Sequence, residues 1–395
     1  MRRVLIIGAG QSGLLLAVTL QTQGCDVTVV TDRSPAQVAA GSILSTQVLF
    51  GPALELERAA GLDFWHDTAP PIRVLDFSLV DPSGQPMVSW SGRLAQPAQS
   101  VDQRTKFARW MRVFSDRGGR LELGPLTVDA VDARCRAERY DLVVVATGGA
   151  SALAALFPID PHRSPTGGPW HTLSAIYLHS VNPGEDHGQY TSVPGHGEII
   201  TVPALTRDTA CHTVLVEALP GGPWDHFGGL TADPQAHVTG MLDLLRRYAP
   251  AVHEHYRHGT LTDPSARLVG AVTPTVRHPV SALPSGQAVV GMGDTVCWMD
   301  PLGAQGANTA TRCAAWFAEA ILAEGDRPLN ENWMLTTAAH CWDQIAGPAL
   351  AWTQLLADPS DSTRTMIASA AHDQSLADTL VAAFADPGEI TLLVG

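Results

Sequence analysis

Three glycine-bearing stretches carry the residues able to do chemistry, and that chemistry is the holding of a dinucleotide. Gly8-Ala9-Gly10-Gln11-Ser12-Gly13 follows an apolar run. Gly8 permits a tight turn, Gly10 lets backbone approach a pyrophosphate, and Gly13 lets the following helix pack on the strand. Free N–H groups at that helix start, from Gln11 and Ser12 onward, meet the phosphate charge. Thr31-Asp32-Arg33 ends the next apolar run. Asp32 stands about 20 residues beyond the glycines, where a carboxylate holds an adenosine ribose. Thr147-Gly148 closes a third apolar run with small residues that leave room for a ligand. Gly293-Asp294 closes a fourth, and Asp300-Pro301-Leu302-Gly303-Ala304-Gln305-Gly306-Ala307-Asn308 follows it. Asp294 can accept from a ribose or ribitol hydroxyl, and the N–H groups around Gly306, Ala307 and Asn308 can face an anionic ring. Any one of these is an ordinary strand-to-loop turn; three ligand-type strand ends in one chain make a cofactor site.

The elements that must position these residues read as follows. Residues 4–7, 14–20 and 27–30 form a βαβ unit, and the fully apolar run 142–145 belongs in the middle of a parallel sheet. The run ending at Gly293 leads through a glycine-rich loop into a long helix that reaches residue 322. Between these segments the pattern changes. Strand-like runs 73–80 and 87–90 flank the turn Asp81-Pro82-Ser83-Gly84, and runs 176–179, 198–202 and 213–218 predict further antiparallel strands. Helices are predicted over 52–60, over 102–117 with Asp102 as cap, and over 234–248. Beyond Pro328 two helical runs, 332–356 and 363–384, carry Trp333, Trp342 and Trp352 as packing anchors. The expected class is α/β. A discontinuous nucleotide domain takes 1–70, 100–160 and 265–325, an antiparallel lobe takes 71–99 and 161–264, and a helical segment takes 326–395.

Composition narrows the partners. A 395-residue chain with 45% apolar content can bury a large core, while a net charge of −14 with a single lysine, Lys106, argues against nucleic acid and anionic membranes. The six cysteines lack CxxC spacing, so they are expected to be reduced, with no disulfide and no metal; no metal is assigned to the 15 histidines either. No signal peptide precedes the first strand, and no apolar run approaches the ~20 residues of a membrane span, so a soluble, cytoplasmic protein is expected.

With the Gly8 motif, the Thr147-Gly148 strand end and Gly293-Asp294 followed by the Asp300–Asn308 loop, the chain resembles flavoprotein monooxygenases of the p-hydroxybenzoate hydroxylase fold. More narrowly, through residues 27–33, Pro194-Gly195-His196-Gly197-Glu198-Ile199-Ile200 and overall length, it resembles the styrene/indole monooxygenase family. The resemblance implies FAD as cofactor. It also implies a separate NAD(P)H:flavin reductase that supplies the flavin reduced, and no NAD(P)H site on this chain. Single-component hydroxylases carry an Asp-Gly motif in the strand that here ends at Gly148, and no Asp-Gly dipeptide occurs in this sequence. The implied reaction forms a flavin 4a-hydroperoxide with O₂, whose distal oxygen epoxidises an electron-rich alkene in a dry apolar cavity.

Substrate choice follows from the same resemblance. Styrene-preferring members carry Asn, Val and His at alternating positions after the second strand, and indole-preferring members carry Ser, Gln and a larger apolar residue. This chain has Ser45, Gln47 and Leu49, which share one face if extended, and this implies indole. Ser42 stands where an arginine is expected in the styrene enzymes. Asn308 is expected to close the same pocket, making Ser45, Gln47 and Asn308 the catalytic set, with His196 and Trp298 as further substrate contacts. A homodimer is compatible with this reading. Two alternatives stay open: a halogenase-like flavin enzyme, which needs a lysine in a tunnel from the flavin and a WxWxIP segment, and a non-catalytic FAD-binding redox protein.

Overall fold

The computed structural model describes every residue except 169, 180–185, 208, 231–232 and 390–395. The chain starts with β1 (Arg3–Ile7), whose four apolar residues are fully buried, followed by α1 (Gln11–Thr22) and β2 (Asp26–Thr31). Then come α2 (Pro35–Ala40), opened by a Ser34/Gln37 capping box, and α3 (Gly51–Ala59). A hairpin of β3 (Pro71–Val80) and β4 (Pro86–Gln99) turns through Asp81–Gly84, where the Asp81 carboxylate accepts from the Ser83 and Gln85 N–H groups. The chain returns through α4 (Gln103–Asp116), capped by Asp102 as expected, then β5 (Arg120–Leu123), α5 (Val128–Ala137) and β6 (Leu142–Val145).

A second excursion runs through β7 (His171–His179), β8 (His187–Val193), β9 (Gly197–Thr206), β10 (Thr209–Ala218), α6 (Pro234–Tyr248), α7 (Pro250–Tyr256), β11 (Thr260–Leu261) and β12 (Arg267–Val272). The remainder is β13 (Thr275–Val276), β14 (Val280–Ala282), β15 (Ala288–Gly291), β16 (Cys297–Trp298), α8 (Gly306–Ala323), α9 (Glu331–Cys341), α10 (Gly347–Ala357), α11 (Asp361–Ser369) and α12 (Gln374–Ala385).

Two large sheets result. The first has the order β14-β15-β6-β1-β2-β5 and is parallel except for the edge strand β14. β6 lies beside β1 and is completely buried, which is why its sequence is Leu-Val-Val-Val without a polar position. α1, α4 and α8 cover one face of this sheet around Leu16, Trp110 and Phe317. Close backbone approach makes this possible: a Cβ on Gly13 would lie 2.3 Å from the Gly8 carbonyl oxygen, and one on Gly8 would lie 2.2 Å from that of Ala146.

The second sheet has the order β11-β7-β10-β9-β8-β3-β4, with β12 also on β7. It is mixed where an antiparallel lobe was expected, because β3 and β8 run parallel. These strands are separated by a long stretch of chain through the other sheet, and such a crossover allows parallel pairing that a hairpin forbids. The expected helix over 332–356 is interrupted by a π-helical turn at Trp342–Ala346, and the run 363–384 breaks after Ser369, where Asp373 caps α12. Among the described residues no helix is long and apolar enough to cross a membrane.

Arg104 ties the two layers together. Its guanidinium, on α4, donates to both oxygens of Asp102, to both oxygens of Asp263 before β12, and to the Gly41 carbonyl oxygen. Asp102 also accepts from the Thr206 hydroxyl at the end of β9. Arg104 is 3% exposed, and its pKa is raised: burial opposes the charge, but the hydrogen bonds to Asp102 and Asp263 outweigh it. Replacing Arg104 by Ala is expected to destabilise the protein by about 3–5 kcal/mol, because Asp102 would be left buried without its cation and Asp263 with only the exposed Arg207. A urea unfolding midpoint close to that of the parent protein would contradict this.

Candidate functional site

Two cavities meet at the junction of the sheets. The first, about 400 Å³, lies at the carboxyl ends of the parallel strands, where open α/β sheets bind ligands. Its wall includes Gly8, Gly10, Gln11 and Ser12 from the first turn, and Thr31, Asp32 and Arg33 from the end of β2. Thr147, Gly148, Asp294, Trp298, Pro301, Gly306 and Ala307 complete it. Sixteen residues were expected to bind the cofactor; Gly13, Gly293 and Asn308 alone fall outside this lining and act on the backbone behind it. Gly293, at φ +61°, would bring a Cβ within 2.9 Å of the Ser12 hydroxyl.

The chemistry of the wall suits a dinucleotide. A Cβ on Gly10 would meet nothing within 4 Å, so Gly10 faces the space a pyrophosphate would take. Neither Gly10 before α1 nor Gln305 before α8 caps its helix with a side chain. Both helix starts therefore present N–H groups and partial positive charge to an anion. The Gln305 amide instead donates to the Gly303 and Phe384 carbonyls. Thr295 fixes the end of β6, its hydroxyl accepting from the N–H groups of Thr147 and Gly148. Burial raises the Asp294 carboxyl to about 6. Asp32 and Arg33 are exposed at the rim, 3.6 Å apart.

Behind Gln11 lies a buried ion pair. The Gln11 amide and the Lys106 ammonium both donate to Glu57 Oε1, at 2.6 and 2.5 Å. Desolvation raises the Glu57 pKa and lowers that of Lys106, and the pairing opposes both shifts. Lys106 is 2% exposed and lies outside the lining of both cavities.

The second cavity, about 430 Å³, lies between one face of the mixed sheet and helices α10–α12. Its wall is aromatic and aliphatic. Phe77 stacks with Trp90 and Tyr190 at centroid distances of 5.1 and 5.7 Å, and Trp352 meets Phe384 edge-on at 5.0 Å. Val48, Ile200, Val202 and Ala304 line both cavities, so the two spaces adjoin there.

The structure separates the residues expected to touch substrate. Ser45 and Gln47 line the cofactor cavity, and so does Trp298, which rests on Gly149. The Gln47 amide donates to the Val101 carbonyl and its oxygen accepts from Gln103. Leu49 points the other way, packed with Ala53 and Leu54, while its neighbours Val48 and Phe50 face the aromatic cavity. Asn308 accepts from the Phe50 N–H and donates to the Val48 and Ala304 carbonyls, so it shapes the junction through backbone. His196 packs against Trp224 and Tyr248, away from both cavities.

Sequence reasoning missed a buried group at the end of the aromatic cavity. His171 Nδ1 lies 3.1 Å from Asp300 Oδ2 and 3.9 Å from Glu217 Oε2, and its Nε2 lies 3.5 Å from Glu198 Oε2. His171, Glu217 and Asp300 present ligand-type atoms within 4.8 Å of one another, a spacing a cation could bridge. The pattern of carboxyls on neighbouring apolar strands was the available signal. Glu198 and Glu217 each interrupt such a run.

Comparison with known proteins agrees with both halves of the site. Residues 1–62 match the family model of an FAD binding domain, and residues 149–255 match that of the styrene monooxygenase A putative substrate binding domain. The chain is 30% identical over 328 residues to styrene monooxygenase StyA of a Pseudomonas species, covering 82% of this chain and 78% of that protein. It is 29% identical, over the same length and shares, to StyA of Pseudomonas fluorescens. Among solved structures, the flavin-dependent brominase Bmp2 matches with a TM-score of 0.71 at 13% identity, covering 99% of this chain and 97% of that one. PqsL of P. aeruginosa matches with 0.62 at 16%, covering 96% and 99%. These structural likenesses show the fold alone.

Gly10→Val is expected to abolish FAD binding in a protein that still folds, since the new side chain would enter the cofactor space and touch no core atom. Flavin titration followed by fluorescence, with far-UV circular dichroism as the control, checks this; undiminished affinity would contradict it.

Proposed function

Because the chain belongs to the styrene monooxygenase family and is an FAD-dependent monooxygenase, we propose that it is the oxygenase component of a two-component system. In this reading it takes reduced FAD from a separate reductase and epoxidises indole or a styrene-like vinyl arene. The observation that carries this reading is the junction at Val48, Ile200, Val202 and Ala304, where an apolar cavity adjoins the cofactor cavity. An oxygen donor on one side can face an arene on the other across this apolar junction.

FAD fits the residues present. The Gly10 opening and the start of α1 suit its pyrophosphate, Asp32 the adenosine ribose, and Asp294 a ribitol hydroxyl. The uncapped start of α8 suits the anionic end of the reduced ring. When bound and reduced, the flavin supplies the electrons that activate O₂. The chain's own residues bind, orient and exclude water. Phe77, Trp90 and Tyr190 offer flat apolar surfaces to an arene, and Asn308 holds the Val48–Phe50 backbone that forms one side of the passage. A dry wall also limits loss of the activated oxygen as peroxide.

The halogenase reading needs a lysine in the passage, and Lys106 is instead locked onto Glu57. The indole preference rests on Ser45, whose hydroxyl has no hydrogen-bond partner among the described residues; Gln47 is engaged by Val101 and Gln103.

The purified chain, given chemically reduced FAD and O₂, is expected to convert styrene and indole to epoxide-derived products while leaving NADH and NADPH untouched. Steady nicotinamide consumption without a reductase would overturn the two-component assignment, and peroxide as sole product with both arenes would overturn the epoxidase assignment. Ser45→Ala is expected to lower indole turnover relative to styrene by roughly five- to tenfold, the effect of losing one hydrogen bond to a substrate N–H. Equal loss on both substrates in a competition assay would show that this segment serves the flavin or the fold.

A further inference from the structure

β9 and β10 pair antiparallel with Glu198 directly opposite Glu217, so both carboxyls leave the sheet on the same face. Like charges in directly opposed positions repel. His171 stands between them with Asp300 on its far side. His171, Glu217 and Asp300 are at most 3% exposed, so full ionisation of these residues together with Glu198 would crowd three negative charges around one positive in a poorly hydrated place. Such a cluster keeps protons. Glu217 shows how: both its oxygens are buried with no donor aimed at them, yet it shares a hydrogen bond with Asp300 once one of the two carboxyls carries a proton. Asp300 Oδ1 accepts from the Leu302 N–H, and burial with the neighbouring carboxyls raises the Glu217 pKa well above its ordinary value, so the proton is held on Glu217.

Glu198 connects this cluster to the cavity. One of its oxygens accepts from the Ser192 hydroxyl at 3.2 Å, while Oε2 is buried without a hydrogen bond and lies beside His171. Glu198 and His171 both line the aromatic cavity. Ile200 and Val202, at the junction of the two cavities, follow Glu198 on the same face of β9. Two residues of strand span about 7 Å, so the carboxyl sits one pleat repeat from the passage.

We propose that the Glu198–Glu217 pair, with His171 and Asp300, stores a transferable proton in the cavity wall, and that Glu198 delivers it to the oxygen anion that develops during oxygen transfer. This rests on the oxygenase reading above. In the step, the Glu198 O–H bond breaks, its electron pair stays on the carboxylate, and an O–H bond forms on the receiving oxygen. The proton that the transferred oxygen sheds as the epoxide closes returns to the Glu198 carboxylate by way of His171, so the cluster ends the step as it began and no electron changes hands. Glu198 touches the reacting space, whereas His171, Glu217 and Asp300 act through it as positioning residues.

Burial raises Glu198 to about 7 and Glu217 well above its ordinary value. In His171, burial disfavours the charge, but the hydrogen bond and charge of Asp300, helped by Glu198, leave the pKa raised. The other polar or charged groups facing this region are Tyr190 and Gln189 on β8, Asp76 on β3 held by His187 and Gln189, and Arg364 on α11 held by Asp361. Glu198 is therefore protonated below about pH 7 and loses its proton above it.

Infrared titration of the cofactor-free protein is expected to show a protonated carboxyl that ionises near neutral pH and is missing in Glu198→Gln. With chemically reduced FAD and styrene, the ratio of epoxide to peroxide should fall as pH rises through that midpoint, roughly tenfold per pH unit beyond it. Glu198→Gln should give a low ratio without this dependence, at unchanged affinity for reduced FAD. Glu217→Gln should leave the midpoint nearly unchanged, because a protonated Glu217 and an amide are both neutral. Absence of the titrating band, an unaltered pH profile in Glu198→Gln, or a stoichiometric divalent metal in the purified protein that is lost in Glu217→Gln would each overturn the proposal. Should the parent protein show the titrating band yet epoxidise no vinyl arene, the substrate assignment fails and the proton store stands.

Discussion

A guanidinium taken out of water has to be met on every side, and in this protein that requirement fixes how the two sheets stand. Arg104 comes from the helix that follows the first excursion of the chain. Its partners come from Gly41 at the end of α2, from the α4 cap and from the turn before β12. Asp102 carries the constraint further by holding Thr206 at the end of β9. None of these groups can shift without leaving a buried charge exposed to low dielectric. The cavities lie where they do because the layers are pinned at this point.

From that fixed angle the division of labour follows. The parallel sheet presents its carboxyl ends, two uncapped helix starts and small residues to a dinucleotide. The mixed sheet presents aromatic side chains from three adjacent strands, and the last helices close the space above them. In the aromatic wall the titratable side chains include Glu198 and His171. A site so built depends on the bound flavin for bond-making and on the protein for dryness and orientation, which accords with an oxygenase whose oxidising equivalents come from O₂.

How far the sequence revealed this depends on whether the signal was local. The Gly8–Gly13 turn, the apolar run of β6 and the Gly293–Asn308 segment state their roles in neighbouring residues, and the turn at Asp81–Gly84 is equally plain. β8 was silent because His-Gly-Gln-Tyr-Thr-Ser-Val has neither an apolar run nor clean alternation, and its parallel partner β3 lies far away in the chain. The direction of Leu49 was obscured for a different reason: alternation tells which residues share a face but not which face looks into the cavity. Val48 and Phe50 turned out to face it. The two glutamates interrupting apolar runs hinted at the His171 cluster, but only strand register brings Glu198 opposite Glu217, and Asp300 reads as part of the cofactor loop until the fold places it beside them.

The cofactor layer is discontinuous, and this bears on how the protein is made. β1 and β2 leave the ribosome first, but β15 and α8, which complete the wall around the flavin, appear only after both excursions of the chain have been synthesised. An intermediate that lacks β15 and α8 therefore offers flavin an incomplete wall, and the edge of the parallel sheet at β6 is still without its β15 neighbour. Contacts of such sequence separation form slowly. The layer that surrounds the flavin is consequently complete only when the chain has been made through α8, which ties the cofactor wall to contacts of long sequence separation.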